Sequence, residues 1–140
     1  MLTREELRVL VAYPDPISKD GLPYTIGIGH AGPDVYEGLV WTDAQVDSAY
    51  ALDEKRAIAG CLDNFYPWWS TLNPARQAVL VGMAFQMGIH GLLGFRQALD
   101  AIRDEHWEHA AVCMLDSKWA RQTPARAGRM ARQIATGDWQ

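Results

Sequence analysis

Glu6, Asp15 and Thr25 are the residues on which chemistry could rest. Two carboxyl groups and a hydroxyl, brought together by a turn of chain, suit hydrolysis of a glycosidic bond. One carboxyl, kept protonated, donates to the leaving oxygen; the other polarises a water or attacks the sugar. Each residue also has an ordinary account. Glu6 closes a capping box with Thr3 in "TREE", Asp15 stabilises the turn made by its flanking prolines in "YPDP", and Thr25 is a common strand residue.

Beside Thr25, "YTIGIGHAG" spaces Gly27, Gly29 and Gly32 as G-x-G-x-x-G, the spacing of a dinucleotide-binding turn. Such a turn needs a helix opening at its third glycine and a parallel strand after it. Gly32 is followed by "PDVYEG", which has no helical periodicity, so a nucleotide is excluded. The glycines are expected instead to allow positive φ or tight bends where a hairpin packs closely on its neighbours.

The chain that must position these residues has 140 residues, 49% of them hydrophobic, and a formal net charge of −4. That length suits one domain over residues 1–140, and the acidity argues against nucleic acid as a partner. No apolar run approaches the ~20 residues that span a bilayer, so stable membrane insertion is not expected. The opening "MLTREELRV" is acidic where a signal peptide is basic, which points to the cytoplasm at synthesis. Lys118, Arg121, Arg126, Arg129 and Arg132 form a basic run without an acidic residue. It reads as a solvated helix face or a local site for an anionic ligand. Cys61 and Cys113 are expected to be free, buried thiols outside any cysteine-based metal or redox spacing. His106 and His109 share a helix face but no third ligand is indicated, so no metal is expected; His90 falls where a turn is expected.

Thr3–Glu6 predicts a short first helix, and the Pro- and Gly-rich text from Tyr13 to His30 predicts a small hairpin turning near "KDG". "TDAQ" at Thr42–Gln45 is a second capping box, opening a helix that Pro67 stops after about Phe65. Asn73-Pro74 caps a third helix, apolar on every side from Ala78 to Phe85 and therefore central. Further helices are predicted at Phe95–Arg103, Trp107–Leu115 and Pro124–Ala135, the last with Thr123 as cap and Gly137 beyond its end. The fold class is α+β, mostly helical, with its only sheet near the N-terminus.

Glu6, Leu10, Tyr13 and Asp15, followed by "YTIGIGH", resemble the opening of the phage-type lysozymes of glycoside hydrolase family 24, the family of the T-even bacteriophage lysozyme. The likeness continues through "TDAQ", Asp53, "MAFQMG", "GLLGF" and "SKWARQTPARAGR". It implies a two-lobed fold whose lobes a long helix joins. The implied activity is hydrolysis of the β-1,4 bond between N-acetylmuramic acid and N-acetylglucosamine in peptidoglycan, with inversion and without a cofactor. The resemblance assigns Glu6 as general acid and Asp15 with Thr25 as the pair that activates water. It places Gln86, Trp119, Thr123 and Arg126 on the walls of the saccharide cleft, and it opposes His30 to Asp53. A monomeric endolysin is the simplest case, reaching the wall from the host cytoplasm through a membrane pore made by another protein.

The departures leave alternatives open. Leu7 stands where the family has glycine, only five residues precede Glu6, and Glu5 adjoins it. Asp15 and Thr25 are ten residues apart, which makes Asp20 a second candidate carboxylate. A catalytically impaired peptidoglycan-binding module on the same fold is the competing class. A zinc-dependent wall amidase lacks a ligand set.

Overall fold

The computed structural model describes residues 8–14 and 22–140. Two compact units result, Met1–Arg56 and Ala57–Gln140. The predicted helix at Thr3–Glu6 and the "KDG" turn lie outside the described residues.

In the first unit, β1 (Arg8–Tyr13), β2 (Thr25–Ile28) and β3 (His30–Ala31) form an antiparallel sheet in the order β1-β2-β3. Arg8 pairs with Ile28, Val9 with Gly27 and Tyr13 with Thr25, with the register shifting between Val9 and Tyr13. The helix expected to open at Thr3 does not extend through residues 8–13. Val9 and Val11 are β-branched and suit a strand, and the other edge of β1 also finds a partner. The Ala12 amide donates to the Leu39 carbonyl at 2.9 Å and the Trp41 amide to the Leu10 carbonyl at 2.8 Å. Tertiary pairing therefore sets the conformation of residues 8–13.

Gly27 has φ +70°, and a Cβ there would stand 3.2 Å from the Trp41 ring. Gly29 also has positive φ. The glycines thus serve backbone geometry, as expected. No helix opens after Gly32, and α1 (Asp43–Phe65) begins eleven residues later.

The Thr42–Gln45 capping box is formed in both directions. The Thr42 amide donates to Gln45 Oε1 at 2.8 Å, and the Gln45 amide to Thr42 Oγ1 at 3.2 Å. Arg8 reaches Asp43 Oδ1 at 3.0 Å and also bonds Asp47, tying β1 to the first turns of α1. Among the described residues of this unit, Ile26, Ile28, Val35 and Val46 are the buried hydrophobic ones. The division between the units falls within α1.

The second unit is built around α2 (Pro74–Leu93), capped by Asn73 Oδ1, which accepts the Arg76 amide at 2.9 Å. Every residue from Ala78 to Ala84 is buried, as an all-apolar helix requires. Gly88, at φ +78° and ψ 159°, interrupts the helical backbone, which then resumes through His90 to Leu93. His90 is therefore an exposed helical residue and not part of a turn.

Next come α3 (Arg96–Arg103), α4 (Trp107–Leu115), α5 (Lys118–Gln122) and α6 (Pro124–Thr136). Five residues are too few to show periodicity, and α5 was not predicted; Ser117 caps it by accepting the Ala120 amide at 3.1 Å. Thr123 precedes α6 but makes no side-chain cap. Its hydroxyl donates back to the Trp119 carbonyl at 2.8 Å, so the predicted capping role passes to Pro124 at the first helical position. Gly137 ends α6 in the left-handed conformation, as predicted. The core includes Leu80, Met83, Leu92, Ile102, Met114 and Ile134. Among the described residues, no single helix is long and apolar enough to cross a membrane.

Candidate functional site

Glu6 and Asp15 lie outside the described residues, as do Glu5, Leu7 and Asp20. Thr25, the third candidate, opens β2, half-buried, with Tyr13 opposite on β1 and Ala31 on β3. The pairing with Tyr13 holds the end of β1 beside Thr25. The strand that carries Thr25 continues, through Gly29, into His30.

His30 is held on both ring nitrogens. Nδ1 meets Asp53 Oδ2 at 2.6 Å, and Nε2 meets Asp34 Oδ2 at 3.0 Å. Carboxylates only accept, so both nitrogens must donate, which is the charged form of the ring. Burial disfavours that charge, but the hydrogen bonds to Asp53 and Asp34 outweigh it, and the His30 pKa lies above the usual value. The His30 hydrogen bond in turn holds the Asp34 carboxyl below the usual carboxylate range.

Trp41 covers the imidazole with ring centroids 5.3 Å apart, and Arg56 approaches Asp53 at 3.9 Å. The expected His30–Asp53 pair is present; Asp34 was missed, although its i,i+4 spacing from His30 is visible in the text. This cluster belongs to the first unit and fixes β3 against α1.

The second unit brings together three of the four residues assigned to the cleft walls. Trp119 Nε1 donates to Gln86 Oε1 at 3.0 Å, and Thr123 Oγ1 donates to the carbonyl of Trp119. Phe95 meets the indole edge-on at 5.9 Å. Trp119 is only 8% exposed, so its ring orients the Gln86 amide and offers little face for stacking. Arg126 lies in the first turn of α6, half-buried. The basic run divides: Lys118, Arg121 and Arg132 are exposed, while Arg126 and Arg129 are half-buried.

One cation outside this run has a role the sequence did not show. Arg76 donates from Nε to the Ile134 carbonyl at 2.8 Å and lies 3.8 Å from the centre of the Trp107 ring. It thereby satisfies the C-terminal end of α6 and takes the face of Trp107.

Cys61 and Cys113 are both free, as expected. Cys61 is fully buried, but Cys113 is only half-buried, because its side of α4 borders an open groove. His106 and His109 are exposed. Among the described residues no group of three or more His, Cys, Asp or Glu is placed to hold a metal ion.

A family model described as phage lysozyme matches residues 4–135. The chain is 42% identical over 72 residues to the pre-baseplate central spike protein Gp5 of Enterobacteria phage T4, covering 51% of this chain and 12% of that protein. It is 36% identical over 69 residues to the probable T4-type lysozyme 1 of Dictyostelium discoideum, covering 49% of this chain and 41% of that one. It is 32% identical over 134 residues to the peptidoglycan hydrolase gp36 of Pseudomonas phage phiKMV, covering 94% of this chain and 15% of the relative. The chain thus spans less than half the length of each of these three relatives.

Proposed function

Since this chain belongs to the phage lysozyme family, we propose that it is a glycoside hydrolase that cleaves the N-acetylmuramic acid–N-acetylglucosamine β-1,4 bond of peptidoglycan. The observation that carries this reading is the family match over residues 4–135, which takes in Glu6, Asp15 and Thr25 together. The name of the phiKMV relative, a peptidoglycan hydrolase, agrees with it.

Glu6 acts as the general acid, giving its proton to the leaving glycosidic oxygen. Asp15 takes a proton from water, and Thr25 orients that water against the opposite face of the sugar. A single displacement of this kind needs the two carboxyl groups roughly 6.5–9.5 Å apart, so that the water fits between them. The described scaffold supports the roles from one side. Thr25 is fixed within a three-stranded sheet, and the His30–Asp53 pair holds the end of that sheet on α1. Gln86, oriented by Trp119, supplies an amide for the acetamido or hydroxyl groups of the glycan.

The test is the clearing of a suspension of outer-membrane-stripped cells, with the released sugar followed by NMR. The reading expects clearing that survives a chelator and an α-anomer as first product. Binding to cell walls without any new reducing ends would favour the competing peptidoglycan-binding module instead.

A further inference from the structure

Cys113 and His109 sit four residues apart on α4, a spacing that stacks side chains on one helix face. Their Sγ and Nε2 atoms are 3.7 Å apart. In a tetrahedral zinc site with Zn–S about 2.3 Å and Zn–N about 2.0–2.1 Å, the two donor atoms stand about 3.6 Å apart. The side chains are therefore already at the separation that a metal ion of this class imposes. They also border open space, a groove of about 710 Å³ whose walls include Gly94, Arg96, His109, Cys113 and Asp116. Neither residue is used by the proposed hydrolytic chemistry.

We infer that His109 and Cys113 form a two-donor site for a thiophilic divalent cation of the zinc type. The ion bonds to Sγ and Nε2, and the thiol proton passes to solvent. The remaining coordination positions face the groove, so water or an incoming ligand completes the shell. Two protein donors hold the ion more loosely than the three or four of a catalytic or structural zinc site, which makes it exchangeable. Neighbouring His106 does not take part: it precedes α4, about 10 Å along the helix axis from Cys113, and no third His, Cys, Asp or Glu among the described residues is placed to share an ion with the pair. Counting cysteines alone conceals the site, since its partner is a histidine.

The experiment is an anaerobic titration of the full chain with Co²⁺, read by the thiolate-to-cobalt charge-transfer absorption and followed by displacement with Zn²⁺. One equivalent should saturate the band, and Zn²⁺ should remove it. His109→Ala should weaken binding at least tenfold, Cys113→Ser should abolish the band, and His106→Ala should leave both unchanged. In parallel, Zn²⁺ should protect Cys113 from alkylation in the wild type and not in His109→Ala. Circular dichroism melts keep loss of fold separate from loss of ligand. Binding by His109→Ala equal to wild type, a band that survives Cys113→Ser, or no saturable band at all would overturn the site.

Discussion

His30 can donate to Asp53 and Asp34 together only while its ring is charged, so the cluster carries its own pH dependence. The histidine pKa is raised. Its contribution is therefore complete below the unfolded value of about 6.5 and is lost as pH rises through the folded one. The Asp34 pKa is lowered, so its contribution is present above the unfolded value of about 3.9 and is lost as pH falls through the folded one. Both are in force between about pH 4 and pH 6.5. Asp53→Asn should cost roughly 2 kcal/mol of stability in that window and less at alkaline pH, as urea titrations across pH would reveal; an equal loss at every pH would contradict it. Asp34, 60% exposed, should matter less. The thiols separate at this scale too. Burial pushes the Cys61 thiol up to about 12. A maleimide should therefore add once to the folded protein, at Cys113, and twice after denaturation, as counted by intact mass. For catalysis, Glu6→Gln should lower turnover by roughly 100-fold or more while the protein stays folded. Glu5→Gln should cost little, Asp15→Asn much, and Thr25→Ala an intermediate amount. A dead Glu5→Gln with an active Glu6→Gln would move the acid by one position.

At the scale of elements, the starts and stops of helices were legible because the groups that make them lie within a few residues of one another. Thr42 with Gln45, Asn73 with Pro74, and Gly137 each state a local hydrogen-bond or φ requirement. Residues 8–13 were not legible for the opposite reason. The capping text at Thr3–Glu6 is local, whereas the partners that make β1 a strand are Gly27, Leu39 and Trp41, some twenty to thirty residues away. Likewise nothing near Thr123 announces that its hydroxyl turns back to Trp119. Gly38 and Gly137, two of the glycines with positive φ, provide a test that separates backbone strain from crowding. Gly38, at φ +87°, has open space where a Cβ would be; at Gly137, φ +74°, a Cβ would stand 2.9 Å from the Arg76 guanidinium carbon. Gly38→Ala should cost about 1 kcal/mol from backbone strain alone. Gly137→Ala should cost measurably more in thermal or urea unfolding, because Arg76 is fixed by Ile134 and Trp107 and cannot simply swing aside. Equal costs would mean that the guanidinium yields.

For the molecule as a whole, much of the candidate site came from the order of motifs along the chain, and little from spacing inside any one of them. Glu6 and Asp15 rest on that order alone, while Thr25, Gln86 and Trp119 also have described surroundings. Arg76 and Trp107 could not be paired by reading, since the residues lie thirty-one positions apart and share no pattern. That long-range tie has a consequence for synthesis. The start of α2 is completed by the far end of the second unit. Asn73 Nδ2 donates to the Gly137 carbonyl at 2.9 Å, Arg76 Nε to Ile134 at 2.8 Å, and Gln133 Nε2 to Ala75 at 2.7 Å. While the ribosome still holds residues 133–137, these partners are missing and the apolar surface of α2 stays incompletely covered. An arrest-peptide scan should therefore register the pulling force of folding in this unit only after Gly137 has cleared the exit tunnel, whereas a nascent chain stopped near residue 130 remains a client for chaperones.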